Sequence, residues 1–182
     1  MLKKILTLSL SVACHSCFAQ SGPPPAEGPD RGYIVKVGQE APDNFILKLT
    51  DGTTTSLKAL RGKVVVLQLT ASYCTVCRLK FPHLEHELWL PLKDKNFMLI
   101  ALDRDEPLAK AIKFKKDIQI TYPMALDPGA EIFGKFAYKQ AGIARDIVID
   151  QNGRIVFLTR LFDQKEFEEM TLKIKSLLSK SL

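Results

Sequence analysis

Cysteine, tryptophan and histidine are scarce in this chain of 182 residues, at four, one and three. Secreted proteins held together by disulfides carry several pairs spread along their length. Here the cysteines form only two close couples, Cys14/Cys17 and Cys74/Cys77, which excludes such a framework. The apolar stretch Ile5–Ala13 falls well short of the roughly 20 residues a membrane-spanning helix requires. The basic excess is mild, at +6, too little to argue for nucleic acid as a partner. No internal repeat and no second domain boundary is visible. A hydrophobic share of 46% and a charged share of 25% suit one globular domain, and a chain this long buries a core without staples.

What is present begins with a leader. Lys3 and Lys4 precede the apolar stretch, and Cys17-Phe18-Ala19 offers small residues where a signal peptidase cuts. Residues 1–19 are read as a secretory signal, with Gln20 opening the product. Cleavage lowers the net charge to about +4. It also removes Cys14 and Cys17, so their metal-like spacing carries no site. The alternative, a lipid anchor on Cys14, has only a poor lipidation box in Ser11-Val12-Ala13-Cys14. Residues 20–32, rich in proline and glycine, read as a flexible linker to a domain over 33–182.

Within that domain, Asn44–Leu49 and Thr53–Ser56 flank Asp51-Gly52 as a hairpin. Val64–Leu69 and Phe97–Leu102 are continuous apolar runs of the kind buried on both faces of a sheet. A helix is expected from Cys74 to about Trp89, kinked at Pro82, which lacks the donor its position requires. Leu108, Ala111, Ile112 and Lys115 fall at helical spacing. Lys110, Lys113, Lys115 and Lys116 read as the exposed face of that helix. Asp127-Pro128 reads as another helix start, with Ile132, Phe133 and Phe136 toward the core. Asn152-Gly153 joins Ile147–Ile149 to Ile155–Leu158 as a second hairpin, and Asp163 with Glu166 caps a terminal helix. The expected class is α/β, a central mixed sheet flanked by helices, with an N-terminal hairpin extension.

Cys74-Thr75-Val76-Cys77 follows a buried strand and opens a helix. Cysteines three apart on a helix face each other closely enough for a disulfide to form and break. Cys74 sits where unpaired N–H groups and the macrodipole favour a thiolate, and Cys77 lies one turn in. The pattern points to thiol–disulfide exchange, with Cys74 attacking and Cys77 resolving. A structural staple or half of a zinc site is the alternative. The latter lacks a second ligand pair, since His83 and His86 share the same helix. No metal and no cofactor is assigned. The acidic run Asp103-Arg104-Asp105-Glu106 follows a parallel strand, so it belongs near the redox end of the sheet. It reads as a solvated loop with internal ion pairs, or else as a partner-selecting one.

Several motifs together resemble the TlpA-like thiol–disulfide oxidoreductases of the redoxin group. They are Gly38-Gln39-Glu40-Ala41-Pro42-Asp43, Asp51-Gly52, Ser56-Leu57, Leu60-Arg61-Gly62-Lys63-Val64-Val65-Val66 and Ala71-Ser72-Tyr73-Cys74-Thr75-Val76-Cys77-Arg78. The resemblance implies a thioredoxin-like fold, export to the periplasm and disulfide exchange, commonly as a reductant. It also implies protein or small-molecule disulfides as substrates and an upstream thiol donor, soluble or membrane-bound. Three positions depart from the pattern. Tyr73 stands where members usually have Trp, and Lys80 where they often have Glu. Lys80 lies one helical turn from Cys77, where an ammonium supports a thiolate, unless it points to water. Ala144 occupies the usual cis-proline position. A non-proline cis bond costs roughly 3–4 kcal/mol, so a trans bond is expected there. Arg145 beside it is expected to meet an anionic group or the Cys74 thiolate.

Two further readings compete. Arg145 beside Cys74 suits a thiol peroxidase, although Ala71 stands where peroxiredoxins place threonine. A copper-handling protein of related fold would need wider cysteine spacing and a distal histidine, and no histidine follows His86.

Overall fold

The computed structural model describes residues 30–179. The leader, the Cys14/Cys17 couple and residues 20–29 of the linker reading lie outside the described residues. At the near end of that linker, Asp30–Gly32 form a turn whose Arg31 guanidinium is bonded to Glu166 at 2.5 Å.

Among the described residues seven strands form one mixed sheet: β1 Leu47–Leu49, β2 Thr54–Thr55, β3 Val64–Thr70, β4 Phe97–Arg104, β5 Met124–Asp127, β6 Arg145–Ile149 and β7 Ile155–Leu158. Their order is β2-β1-β5-β4-β3-β6-β7, with β3, β4 and β5 parallel and the remaining pairs antiparallel. All seven residues of β3 are buried, as expected of a continuous apolar run at the centre of a sheet. The first hairpin extends the sheet on the β5 side: β1 pairs with β5, and β2 forms the edge. In the β6–β7 turn Gly153 has φ +85°, and a Cβ there would collide with the Arg61 guanidinium, so the Asn-Gly signal has a steric basis.

Among the described residues four α-helices accompany the sheet: α1 Thr75–His83, α2 Leu90–Leu92, α3 Leu108–Asp117 and α4 Gln164–Ser179. The expected kink takes a defined form. A π-helical stretch, Leu84–Trp89, begins two residues after Pro82, and Leu90 N–H reaches back to the Glu85 carbonyl. A missing donor is absorbed by widening the turn rather than by ending the helix.

Side-chain alternation splits the core in two. Val64, Val66, Leu99 and Val148 pack with Cys77, Phe81 and Leu84 and with Phe114 and Met170 of α3 and α4. Val65, Leu67, Leu69 and Ile147 face Tyr33, Leu57, Phe133 and Phe136. The long helices therefore cover one face, while the N-terminal segment and short 3₁₀ turns cover the other. The helix expected after Asp127 is one of these coverings: the chain makes only the 3₁₀ turns Pro128–Ala130 and Phe133–Lys135. Gly129 at φ 65° interrupts the path, and the buried Asp127 carboxylate accepts the N–H groups of Ile132 and Phe133 at 2.7 and 2.8 Å. Ile132, Phe133 and Phe136 are nonetheless buried as expected. Helix α3 buries Ala111 and Phe114, whereas Leu108 and Ile112, expected on its core side, are each 47% exposed.

Candidate functional site

The parallel strands end at one edge, and the turn leaving β3 brings Cys74 there, with Cys77 in the first turn of α1. Cys74 and Cys77 form a disulfide, with Cα atoms 5.3 Å apart. Cys74 is the N-cap of α1, in extended conformation, and its Sγ accepts the Cys77 N–H at 3.2 Å. One orphan donor of the helix is thus aimed at the sulfur that would carry negative charge after reduction. Cys74 is half-buried and Cys77 is 2% exposed, so an incoming disulfide meets Cys74 first.

Tyr73 is exposed beside Cys74, with the Lys110 ammonium 5.9 Å from its ring centre. Lys80 does not reach water. It is buried, and its Nζ donates to Asp146 Oδ2 at 2.7 Å and to Thr159 Oγ1 at 3.3 Å. Thr159 Oγ1 in turn donates to the same carboxylate oxygen at 2.8 Å. Charge and counter-charge are thus joined beneath α1, so neither is buried alone.

Ala144 packs in the same cluster as Cys77, and every described peptide bond is trans. Its carbonyl accepts the Leu161 N–H at 2.9 Å and an Arg160 guanidinium N–H at 3.3 Å. Arg145 overturns its expectation. Strand alternation turns it to the opposite face of the sheet, where its guanidinium lies 4.5 Å from the Tyr33 ring centre. It donates to the carbonyls of Gly142 at 2.9 Å and Arg31 at 2.5 Å. Arg145 therefore ties the Ala144 loop to the N-terminal segment and does not face the thiolate, and the peroxidase reading loses its cation.

The acidic run is also not the solvated loop expected. Asp103 is fully buried on β4, and Glu106 is 7% exposed. Glu106 accepts the Ser72 N–H at 2.6 Å and hydroxyl at 2.7 Å, and pairs with Lys110 at 2.5 Å. Burial alone would raise the Glu106 pKa, but the donors from Lys110 and Ser72 outweigh it and hold the carboxyl below its ordinary range. Asp103 is pushed up to about 7, first by burial and then by the negative charge of Glu106. Arg104 and Asp105 face elsewhere: Arg104 lies over the Phe133 ring at 4.2 Å, and Asp105 accepts the Gly129 N–H at 2.8 Å. Sequence position alone signalled that this run lies at the redox edge, and its depth was not readable. His83 pairs with Glu87 at 2.6 Å and its ring lies 4.8 Å from that of Phe162. No described helix is long and apolar enough to cross a membrane.

Known proteins resemble this chain in sequence and in fold. The AhpC/TSA family matches residues 37–158. The thiol–disulfide oxidoreductase ResA of Bacillus cereus is 33% identical over 122 residues, covering 67% of this chain and 68% of the relative. A solution structure from Bacteroides thetaiotaomicron, provisionally described as a protein disulfide isomerase, is 51% identical, with TM-score 0.79 over 81% of this chain and 93% of that one. A crystal structure from Chlorobium tepidum, provisionally described as the thiol:disulfide interchange protein DsbE, is 28% identical, with TM-score 0.67 over 79% and 99%. A thioredoxin-like sheet with a cysteine pair at the head of α1, in a sequence related to ResA over most of its domain, makes this chain a member of the AhpC/TSA redoxin family and, within it, a thiol–disulfide oxidoreductase of the ResA type.

Proposed function

We propose that the chain works outside the cytoplasm as a reductant of disulfides, with Cys74 as nucleophile and Cys77 as resolving thiol. The asymmetry of the pair carries this reading: Cys74 is half-buried and aligned with a helical N–H, whereas Cys77 is 2% exposed behind it. In the first step the Cys74 thiolate attacks one sulfur of a substrate disulfide. That bond breaks, the leaving sulfur takes a proton, and a mixed disulfide forms. Cys77 then gives up its proton and attacks Cys74 Sγ, releasing the second substrate thiol and leaving the Cys74–Cys77 bridge. An upstream dithiol supplies the two electrons that reopen it.

Export and processing at residues 1–19 are supported by the leader pattern, and the reductive direction by the family resemblance. Residues 20–32 serve as a linker in the same reading, and the folded unit spans 33–182. Substrates are disulfides of proteins or small molecules, and a membrane-bound donor fits an exported enzyme. Protein lacking residues 1–19 is expected to reduce insulin in the presence of dithiothreitol, and Cys74→Ser to lower that rate at least about a hundredfold. Fast peroxide consumption with negligible insulin reduction would refute it. The reduction potential then decides direction: a value near that of thioredoxin, about −270 mV, marks a reductant, and one near −120 mV an oxidant.

A further inference from the structure

The turn that presents Cys74 is held from outside the helix. Ser72 has its N–H and hydroxyl bonded to Glu106 and its carbonyl accepting from Arg78 Nη2 at 2.9 Å. The Cys74 N–H closes the turn onto the Ala71 carbonyl at 3.0 Å. The placement of Cys74 therefore depends, through Ser72 two residues upstream, on where Glu106 stands.

Beneath Glu106 lies Asp103, directly across from Thr70 in the parallel β3–β4 register and on the same side of the sheet. Both Asp103 oxygens and the Thr70 hydroxyl are buried without a hydrogen-bond partner among the described residues. An ionised carboxylate is disfavoured there, because it accepts only, and no donor stands within hydrogen-bond distance among the described residues. A protonated carboxyl becomes a donor, and the neighbouring Glu106 carboxylate is an acceptor. Two adjacent carboxyls in one buried site share a single proton for the same reason.

Building on the assignment of Cys74 as nucleophile, we propose that Glu106 is the positioning residue for the redox turn and that Asp103 holds the proton that keeps it in place. The charged groups around the pair are few. From α3, Lys110 meets Glu106, and from α1, Arg78 meets Ser72. Thr70 on β3 and Leu126 on β5, the register partners of Asp103, carry no charge. Arg104 and Asp105 on the same strand and turn are engaged with Phe133 and Gly129.

Loss of the shared proton puts a second negative charge beside the first with only Lys110 to answer both. Glu106 is then driven from Ser72, and the field at Cys74 turns against its thiolate. Asp103 is poised to lose that proton near neutrality, so reactivity at Cys74 acquires a second titration beyond that of its own thiol.

The test is the rate of iodoacetamide alkylation of the fully reduced protein from pH 5.5 to 9.5, for wild type, Asp103→Asn, Glu106→Gln and Cys74→Ser. Wild type is expected to follow two titrations, one near pH 7. Asp103→Asn is expected to follow one and to react about threefold faster at pH 8, the effect of removing one charge at this range, and Glu106→Gln, which takes the negative neighbour from a still buried Asp103, to move the inflection below that of wild type. Two variants are used so that loss of fold in one leaves the other decisive. A single titration in wild type, or an inflection near pH 7 that survives unmoved in a folded variant, overturns the proposal. Alkylation that persists in Cys74→Ser instead overturns the nucleophile assignment, separating the two failures.

Discussion

Two buried charged clusters lie on the same face of the sheet, on either side of the cysteine helix, and they behave in opposite ways. On the β6 side Lys80, Asp146 and Thr159 join a cation to an anion through direct hydrogen bonds. On the β4 side Asp103 and Glu106 place two acids together and answer them with one exposed lysine. The first arrangement sets a cation directly against an anion, with Asp146 Oδ1 alone left without a partner among the described residues. The second is satisfied only while it holds a proton. Equal depth thus gives one structural joint and one titrating joint, and the difference comes from the sign of the partner rather than from burial.

Breaking the neutral cluster gives the largest effect expected here. Lys80→Met leaves the Asp146 carboxylate buried without its cation, and the fold should lose about 3–5 kcal/mol in urea unfolding at pH 7. Replacing both partners, Lys80→Met with Asp146→Leu, should recover most of that loss, because no lone charge remains. A double variant as weak as the single one would show that the pair contributes through more than its charge.

The titrating cluster predicts a smaller effect that depends on pH. The folded pKa of Asp103 is raised to about 7 from an ordinary value of 3.8. Between these values the folded chain holds a proton that the unfolded chain has lost, so stability falls as pH rises through that window. Below it both states are protonated, and above it both are ionised. Asp103→Asn removes this slope. Relative to wild type it should gain on the order of 2 kcal/mol at pH 8 compared with pH 4, seen in unfolding midpoints at the two pH values. A difference that does not vary with pH would place the proton elsewhere.

The Arg31–Glu166 pair makes the exposed control for both clusters. Its arginine side chain is 42% exposed, so Arg31→Met should cost less than about 1 kcal/mol, and less again in high salt. A cost as large as that of Lys80→Met would mean that the N-terminal segment is integral to the core.

The sequence made the centre of this molecule legible and its depths much less so. Strands β3 and β4 stand out because their runs are wholly apolar, and the β6–β7 turn because Asn-Gly imposes its own geometry. The cysteine pair was readable from spacing and context together. Strand β5 was missed: four residues running into Asp127-Pro128 look like a helix start, and the Asp127 carboxylate instead reaches donors five and six residues ahead. Residue type misled at Glu106, which reads as part of a solvated loop because charged side chains are rarely buried unless paired. For Lys80 and Arg145 sequence position pointed toward the cysteines, and neither contact is made. The partners of all three, Ser72, Asp146 and the Arg31 carbonyl, lie 34, 66 and 114 residues away, and only the folded chain brings them together.

The division of labour between the two sulfurs is tested most directly by trapping. Cys77→Ser, mixed with a peptide disulfide, should accumulate a covalent adduct that peptide mapping locates on Cys74, while Cys74→Ser accumulates none. An adduct on Cys77 in the Cys74→Ser protein, with none on Cys74 in its counterpart, would contradict the account.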